Sequence, residues 1–199
     1  MKNILLSLMM FLLIACYPFL LLDGGIMRGY DGKPTGLKDM LDINGYYNIA
    51  RILTLSDKNG GYYKPDTTRV IFYEDGIVLY GFPTISYDSI GRGGQHTIPG
   101  YFREIAANPK GRDAKSFYPA IGWGRYKISN DTIKASVVMG NTLNSAGVSE
   151  YWFKIIDRYT IETLRSDPKH KQSVVGNIGE FIPLDIIPSS DYCWLKKKK

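Results

Sequence analysis

Trp123-Gly124-Arg125-Tyr126-Lys127-Ile128-Ser129-Asn130-Asp131-Thr132-Ile133-Lys134-Ala135-Ser136-Val137-Val138-Met139 is the stretch that decides the fold. Two runs rich in aromatic and β-branched residues flank Asn130-Asp131, side chains that favour turns. In the second run Ile133, Ala135, Val137 and Met139 share one face. Thr132, Lys134 and Ser136 share the other, which is the period of two of a half-buried strand. The pattern recurs on both sides. Upstream, residues 69–73 and 77–82 are separated by Glu74-Asp75-Gly76, and Gly supplies the positive φ that a tight hairpin needs. Downstream, residues 148–156 and 159–164 flank Asp157-Arg158. There Tyr151, Phe153 and Ile155 share a face, as do Tyr159, Ile161 and Thr163.

Working outward, residues 46–55 read as a first strand, stopped by Asp57-Lys58-Asn59-Gly60-Gly61. Residues 181–187 read as an eighth, confined to an edge by Pro183 and Pro188. No long amphipathic helix stands out, and residues 101–108 are the best short one. A sheet with one apolar face and no helices to cover it must close on itself or pack on a second sheet. Consecutive hairpins favour an all-β fold, an antiparallel up-and-down barrel of about eight strands. Residues 84–120 interrupt the hairpins as a long inserted loop. Loops of that length are uncommon and often functional, and this one reads as a lid or barrel cap.

The chain of 199 residues has a formal charge of +6, but Lys2 and Lys196 to Lys199 carry most of the excess, so the body is nearly neutral. After Met1-Lys2-Asn3, residues 4–14 form an apolar run broken only by Ser7, the length of a secretory h-region. It ends in Leu13-Ile14-Ala15-Cys16, which resembles the lipobox of bacterial lipoproteins. The resemblance implies cleavage before Cys16 and its acylation, a stable anchor once two or three chains are attached. Residues 1–16 are then signal and lipobox, 17–41 a glycine-rich membrane-proximal spacer, and 42–199 the barrel domain with a basic tail. Residue 17 is not an acidic retention signal, so in a Gram-negative cell the resemblance favours the outer membrane. Residues 4–22 stay apolar past Cys16, and an uncleaved transmembrane helix is the alternative anchor.

A second resemblance rests on the body. Gly45-Tyr46-Tyr47 lies where lipocalins carry Gly-x-Trp. It is joined by Phe72-Tyr73-Glu74-Asp75-Gly76, Trp123 to Ile128, Asp131-Thr132-Ile133-Lys134 and Tyr151-Trp152-Phe153. On these residues the chain resembles the lipocalin-like lipoproteins of Gram-negative bacteria over about residues 42–165. The resemblance implies a small closed barrel, often without known activity.

Candidate chemistry is sparse. His96 and His170 lie in polar segments and lack the close His or Cys partners that zinc needs. The run Gly91-Arg92-Gly93-Gly94-Gln95-His96 lacks the spacing of a phosphate loop. Glu150 and Glu162 fall on adjacent strands but out of register, unlike the facing carboxylates of a hydrolase. No catalytic residue, metal or cofactor is expected. Cys193 reads as a buried free thiol beside Trp194. The lysine tail reads as solvated, with attraction to anionic headgroups as the alternative. Nucleic-acid binding is not expected, since no basic stripe crosses the body. The expected function is a membrane-anchored envelope protein holding a small amphipathic or hydrophobic ligand in its barrel. Arg51, Tyr80, Trp123, Arg125 and Trp152 are the candidate contacts, with Arg125 first if it points inward, because a buried charge needs a partner. The alternative is a non-catalytic structural module that docks on another envelope protein.

The anchor is directly testable. Metabolic labelling with palmitate should mark the wild-type chain and leave Cys16→Ala unlabelled. Label persisting in the mutant overturns acylation at Cys16.

Overall fold

The hairpins form where the turn chemistry places them. In a computed structural model Gly76 turns the chain at φ 81° and Asn130 at φ 56°. The structure describes residues 34–57, 60–82, 97–119, 122–139, 147–165 and 176–196, with side chains left aside at 51–57, 60–66 and 165. The strands are β1 (Gly45–Asp57), β2 (Gly60–Phe72), β3 (Ile77–Tyr80), β4 (Trp123–Ser129), β5 (Thr132–Met139), β6 (Gly147–Asp157), β7 (Thr160–Arg165) and β8 (Ile178–Pro183). Each pairs antiparallel with the next and β8 pairs with β1, so the sheet is a closed up-and-down barrel.

Three details differ from the sequence reading. First, β2 starts at Gly60 rather than at residue 69, and pairs with β1 as far as Gly60 opposite Asp57. Pro65 sits inside it, opposite Ile52. This is tolerated because β3 pairs only with Val70, Ile71 and Phe72, so the Pro65 stretch is an edge that needs no second set of N–H donors. Second, β8 begins three residues before the expected start at 181, and its last paired residue, Pro183, faces Gly45. The Leu184 N–H then donates to the Asn44 carbonyl at 2.9 Å and ends the ladder. Third, the expected loop holds a second helix beyond the short one expected at 101–108. α1 (Ile98–Ala107) and α2 (Arg112–Phe117) occupy it. Thr97 caps α1, its hydroxyl accepting from the Gly100 N–H, and Pro99 stands in the first turn where its missing N–H costs nothing.

Alternation then divides the apolar residues between two cores. The inward face carries Tyr47, Ile49, Val70, Phe72, Val78, Tyr80, Tyr126, Ile133, Ala135, Val137, Tyr151, Phe153 and Ile161, all buried. At the lower end, where the β2–β3, β4–β5 and β6–β7 turns lie, a 3₁₀ turn (Leu37–Asp39) brings Leu37 and Leu41 under the barrel. Above them Phe72 meets Tyr126 at 5.4 Å, Phe153 at 5.7 Å and Tyr47 at 6.0 Å between ring centroids. The phenols at this end reach backbone: Tyr47 donates to the Asp42 and Arg158 carbonyls, and Tyr126 to the Tyr73 carbonyl. An eight-stranded barrel is just wide enough for such side chains to fill it, so the lower half is a packed core.

The second core lies outside. Ile71, Ile77, Leu79, Trp123 and Val138 face outward and are buried beneath Phe102, Ile105, Ala114 and Phe117 of the helices and Cys193 and Leu195 of the C-terminal segment. Residues 98–117 are therefore held against the barrel wall by their apolar faces, not suspended as a free lid.

The ring cluster sets a stability test. Phe72→Ala should cost about 3–5 kcal/mol in urea unfolding, the usual range for a buried aromatic. The exposed Ile178→Ala should cost well under about 1 kcal/mol. Equal losses would show that the lower barrel is not a close-packed core.

Candidate functional site

The upper half of the lumen is built differently from the lower. Tyr80 at the end of β3 and Tyr151 on β6 belong to strands that are not neighbours, and their rings meet across the lumen. The centroids are 4.0 Å apart and the planes 23° from parallel. Around them the inward positions turn polar: Thr68 on β2, Ser149 on β6 and Thr163 on β7 are all buried. The Thr163 hydroxyl has no hydrogen-bond partner although the residue is only 2% exposed. A buried hydroxyl without a partner carries a desolvation cost of about 1–3 kcal/mol, which a ligand or water that bonds to it removes. Tyr80 also lies 6.4 Å from Phe153 between ring centroids, so the Tyr pair continues the lower rings upward, and Thr163 on β7 offers a donor in the same half.

Of the residues expected to contact a ligand, Tyr80 is in this layer. Trp123 and Arg125 are not. Both lie on the outward face of β4, opposite in parity to the inward Tyr126, and are buried by the external layer. Trp123 donates from Nε1 to the Phe117 carbonyl at 3.2 Å. Its ring lies between Tyr73, at 5.8 Å, and Tyr118, at 6.2 Å. Arg125 donates from Nη2 to the Leu195 carbonyl at 2.7 Å. Thus the first-ranked inward charge instead ties the C-terminal segment to the outer wall. Trp152 is also outward, half-buried on β6, with the Lys134 Nζ 4.4 Å from its ring centre. Arg51 stands on β1 opposite Asp66 of β2. Cys16, His96 and His170 lie outside the described residues.

Tyr151, Thr163, Thr68 and Ser149 complete the upper layer and are not among the contacts expected from the sequence. The signal for two of them was present, since Tyr151 alternates with Phe153, and Thr163 with Ile161. Glu162 faces Lys154 across β6–β7, and Glu150 faces Ser136, so the two carboxylates are offset in register.

The C-terminal segment is fixed by charge as well. Asp75 in the β2–β3 turn accepts from the Ser190 hydroxyl at 2.7 Å and pairs with Lys196, which also reaches Asp191 at 2.8 Å. Lys196 is therefore part of the fold, not of a solvated tail. Cys193 is a buried free thiol, as expected. Burial pushes it from 9.0 up to about 11, and pushes the Tyr118 phenol from 10.0 up to about 12. Among the described residues no three His, Cys, Asp or Glu converge on one point. No helix of the described residues is long and apolar enough to cross a membrane. No family model, curated protein or solved structure matches the chain.

A raised acid holds its proton more tightly in the folded state. The stability that Cys193 contributes is therefore complete below pH 9.0 and is lost as pH rises through about 11. Melting temperature should fall across that window, and Cys193→Ala should fall less steeply. Identical alkaline profiles would remove Cys193 from the account.

Proposed function

We propose that this chain is a membrane-tethered, lipocalin-like binding protein of the bacterial cell envelope that holds a small amphipathic molecule in the upper half of its barrel. The observation that carries the reading is the division of the lumen. Rings fill the lower half, whereas the upper half presents the stacked Tyr80–Tyr151 pair and the partnerless Thr163 hydroxyl. Stacked phenols offer apolar surface and the threonine offers orientation, the usual combination in small-ligand sites. The packed lower half limits the ligand to a compact one. The lipobox-like Leu13-Ile14-Ala15-Cys16 supports the tether, and the described chain enters at the lower end, where Thr35 donates to the Glu74 carbonyl. This arrangement points the upper half away from the attachment.

A specific observation also favours a second reading, a non-catalytic module that docks on an envelope protein. Leu164, Ile178 and Ile182 stand exposed on the outer wall of β7–β8. Cross-linking from that wall would capture a partner if this reading holds.

The two readings separate in one titration. The full-length protein in mild detergent should bind the amphipathic fluorophore N-phenyl-1-naphthylamine saturably. Ser149→Trp, which fills the upper lumen, should weaken that binding at least tenfold, about 1.4 kcal/mol. Ile178→Trp on the outer wall should leave it unchanged. Binding that ignores Ser149→Trp sinks the carrier reading.

A further inference from the structure

We infer that the outer wall of β4–β7 is a docking surface for anionic phospholipid headgroups. The register aligns Lys127 on β4 with Lys134 on β5, Lys134 with Trp152 on β6, and Trp152 with Arg165 on β7. Lys154 follows one row below, between Thr132 on β5 and Glu162 on β7. Lys127 and Lys154 are exposed, and Lys134 is half-buried along the Trp152 ring. Among the described residues none of these three lysines meets a carboxylate at ion-pair distance. Glu150 and Glu162 are the acids on the same wall, short of the terminal Asp157.

Two features of this row suit an anionic lipid surface. Like charges directly opposite each other on neighbouring strands repel, and Lys127 faces Lys134. An anion between them relieves that repulsion. Beside them, Trp152 combines an apolar ring with an N–H donor, the amphipathic character that suits a membrane interface. Ile156, 48% exposed, and Leu164, 38% exposed, extend the apolar part on β6 and β7. Lysines for phosphates and a tryptophan with aliphatic neighbours for the headgroup level together match a lipid surface better than a purely acidic one.

The geometry of attachment permits it. This step rests on the membrane tether proposed above. Between the apolar run and the described domain lie residues 23–33, which can span roughly 40 Å when extended at about 3.3–3.6 Å per residue. A barrel tethered by its lower end can therefore lie on its side, and tethering raises the effective concentration of the wall at the bilayer. The opposite wall is unavailable for this role, since helices and the C-terminal segment already cover it.

The full-length protein, reconstituted in vesicles containing brominated lipid, provides the test. One vesicle set is phosphatidylcholine alone, and the other contains phosphatidylglycerol. The chain has three tryptophans, and subtracting Trp152→Phe from wild type isolates the Trp152 signal. Trp152 should be quenched on phosphatidylglycerol vesicles and little on phosphatidylcholine. The quenched fraction should fall about fivefold for each charge reversed in Lys127→Glu and Lys134→Glu, and should fall in high salt. Thermal melts of the variants confirm that they fold, and the milder Lys127→Gln serves if they do not. Equal quenching on both lipids, no quenching, or binding of soluble polyglutamate in place of vesicles overturns the proposal. Co-sedimentation with phosphatidylcholine vesicles reports the tether separately, so loss of the anchor and loss of the wall contact are told apart.

Discussion

Five register pairs join the first strand to the last, from Gly45 opposite Pro183 to Ile49 opposite Gly179. This seam is what turns a meander of hairpins into a barrel, and it removes the sheet edges that would otherwise be free to aggregate. Its geometry is demanding. A side chain at Gly179 would have its Cβ 2.9 Å from both Ile49 and Ile161, so the lumen at the seam has no room for one. A side chain at Gly45 would run into the Ile182 backbone. Once the seam is closed, the inward residues have only one another to pack against. The lower rings and the upper Tyr80–Tyr151 pair are consequences of that confinement.

The closed sheet has two unlike exteriors. Over β3 and the first half of β4, with the neighbouring Ile71 of β2 and Val138 of β5, the outward residues are as buried as the inward ones, because α1, α2 and the C-terminal segment lie on them. Trp123 is the centre of this layer, flanked by Tyr73 and Tyr118 and bonded to the Phe117 carbonyl. Arg125 and Asp75 hold the C-terminal segment down, one through the Leu195 carbonyl and the other through Ser190 and Lys196. Over β6–β8 no such layer is present among the described residues, and the wall keeps the alternation of a surface facing solvent.

That asymmetry explains how much the sequence told. Strands with one wet face, such as β5 and β6, were legible because period-two alternation survives there. The turns at Asp75-Gly76 and Asn130-Asp131 were legible from their positive-φ chemistry. In β3 every residue is buried, and in β4 so are Trp123, Gly124, Arg125 and Tyr126. Alternation then carries no information about which face points inward, and the outward Trp123 and Arg125 resemble ligand contacts in the sequence. The extra length of β2 was hidden by Pro65, which signals an edge only once the short reach of β3 is known. The start of β8 was hidden by Gly179, which reads as a breaker but is a packing requirement. The upper-lumen layer was partly visible, since Tyr80, Tyr151 and Thr163 lie in recognisable strands. Their convergence depends on pairings remote in sequence.

Both ends of the described chain arrive at one turn. Glu74 accepts from the backbone N–H groups of Gly36 and Lys38 through its carboxylate and from Thr35 through its carbonyl, while its neighbour Asp75 holds Ser190 and Lys196. Entry and exit are thus held by two consecutive residues of the β2–β3 hairpin. A mechanical load applied between the two ends is borne at that hairpin and bypasses the β1–β8 seam. The barrel wall is isolated from tension applied at those two ends, in the way that a vessel hung by one lug keeps its shape whatever pulls on the cord.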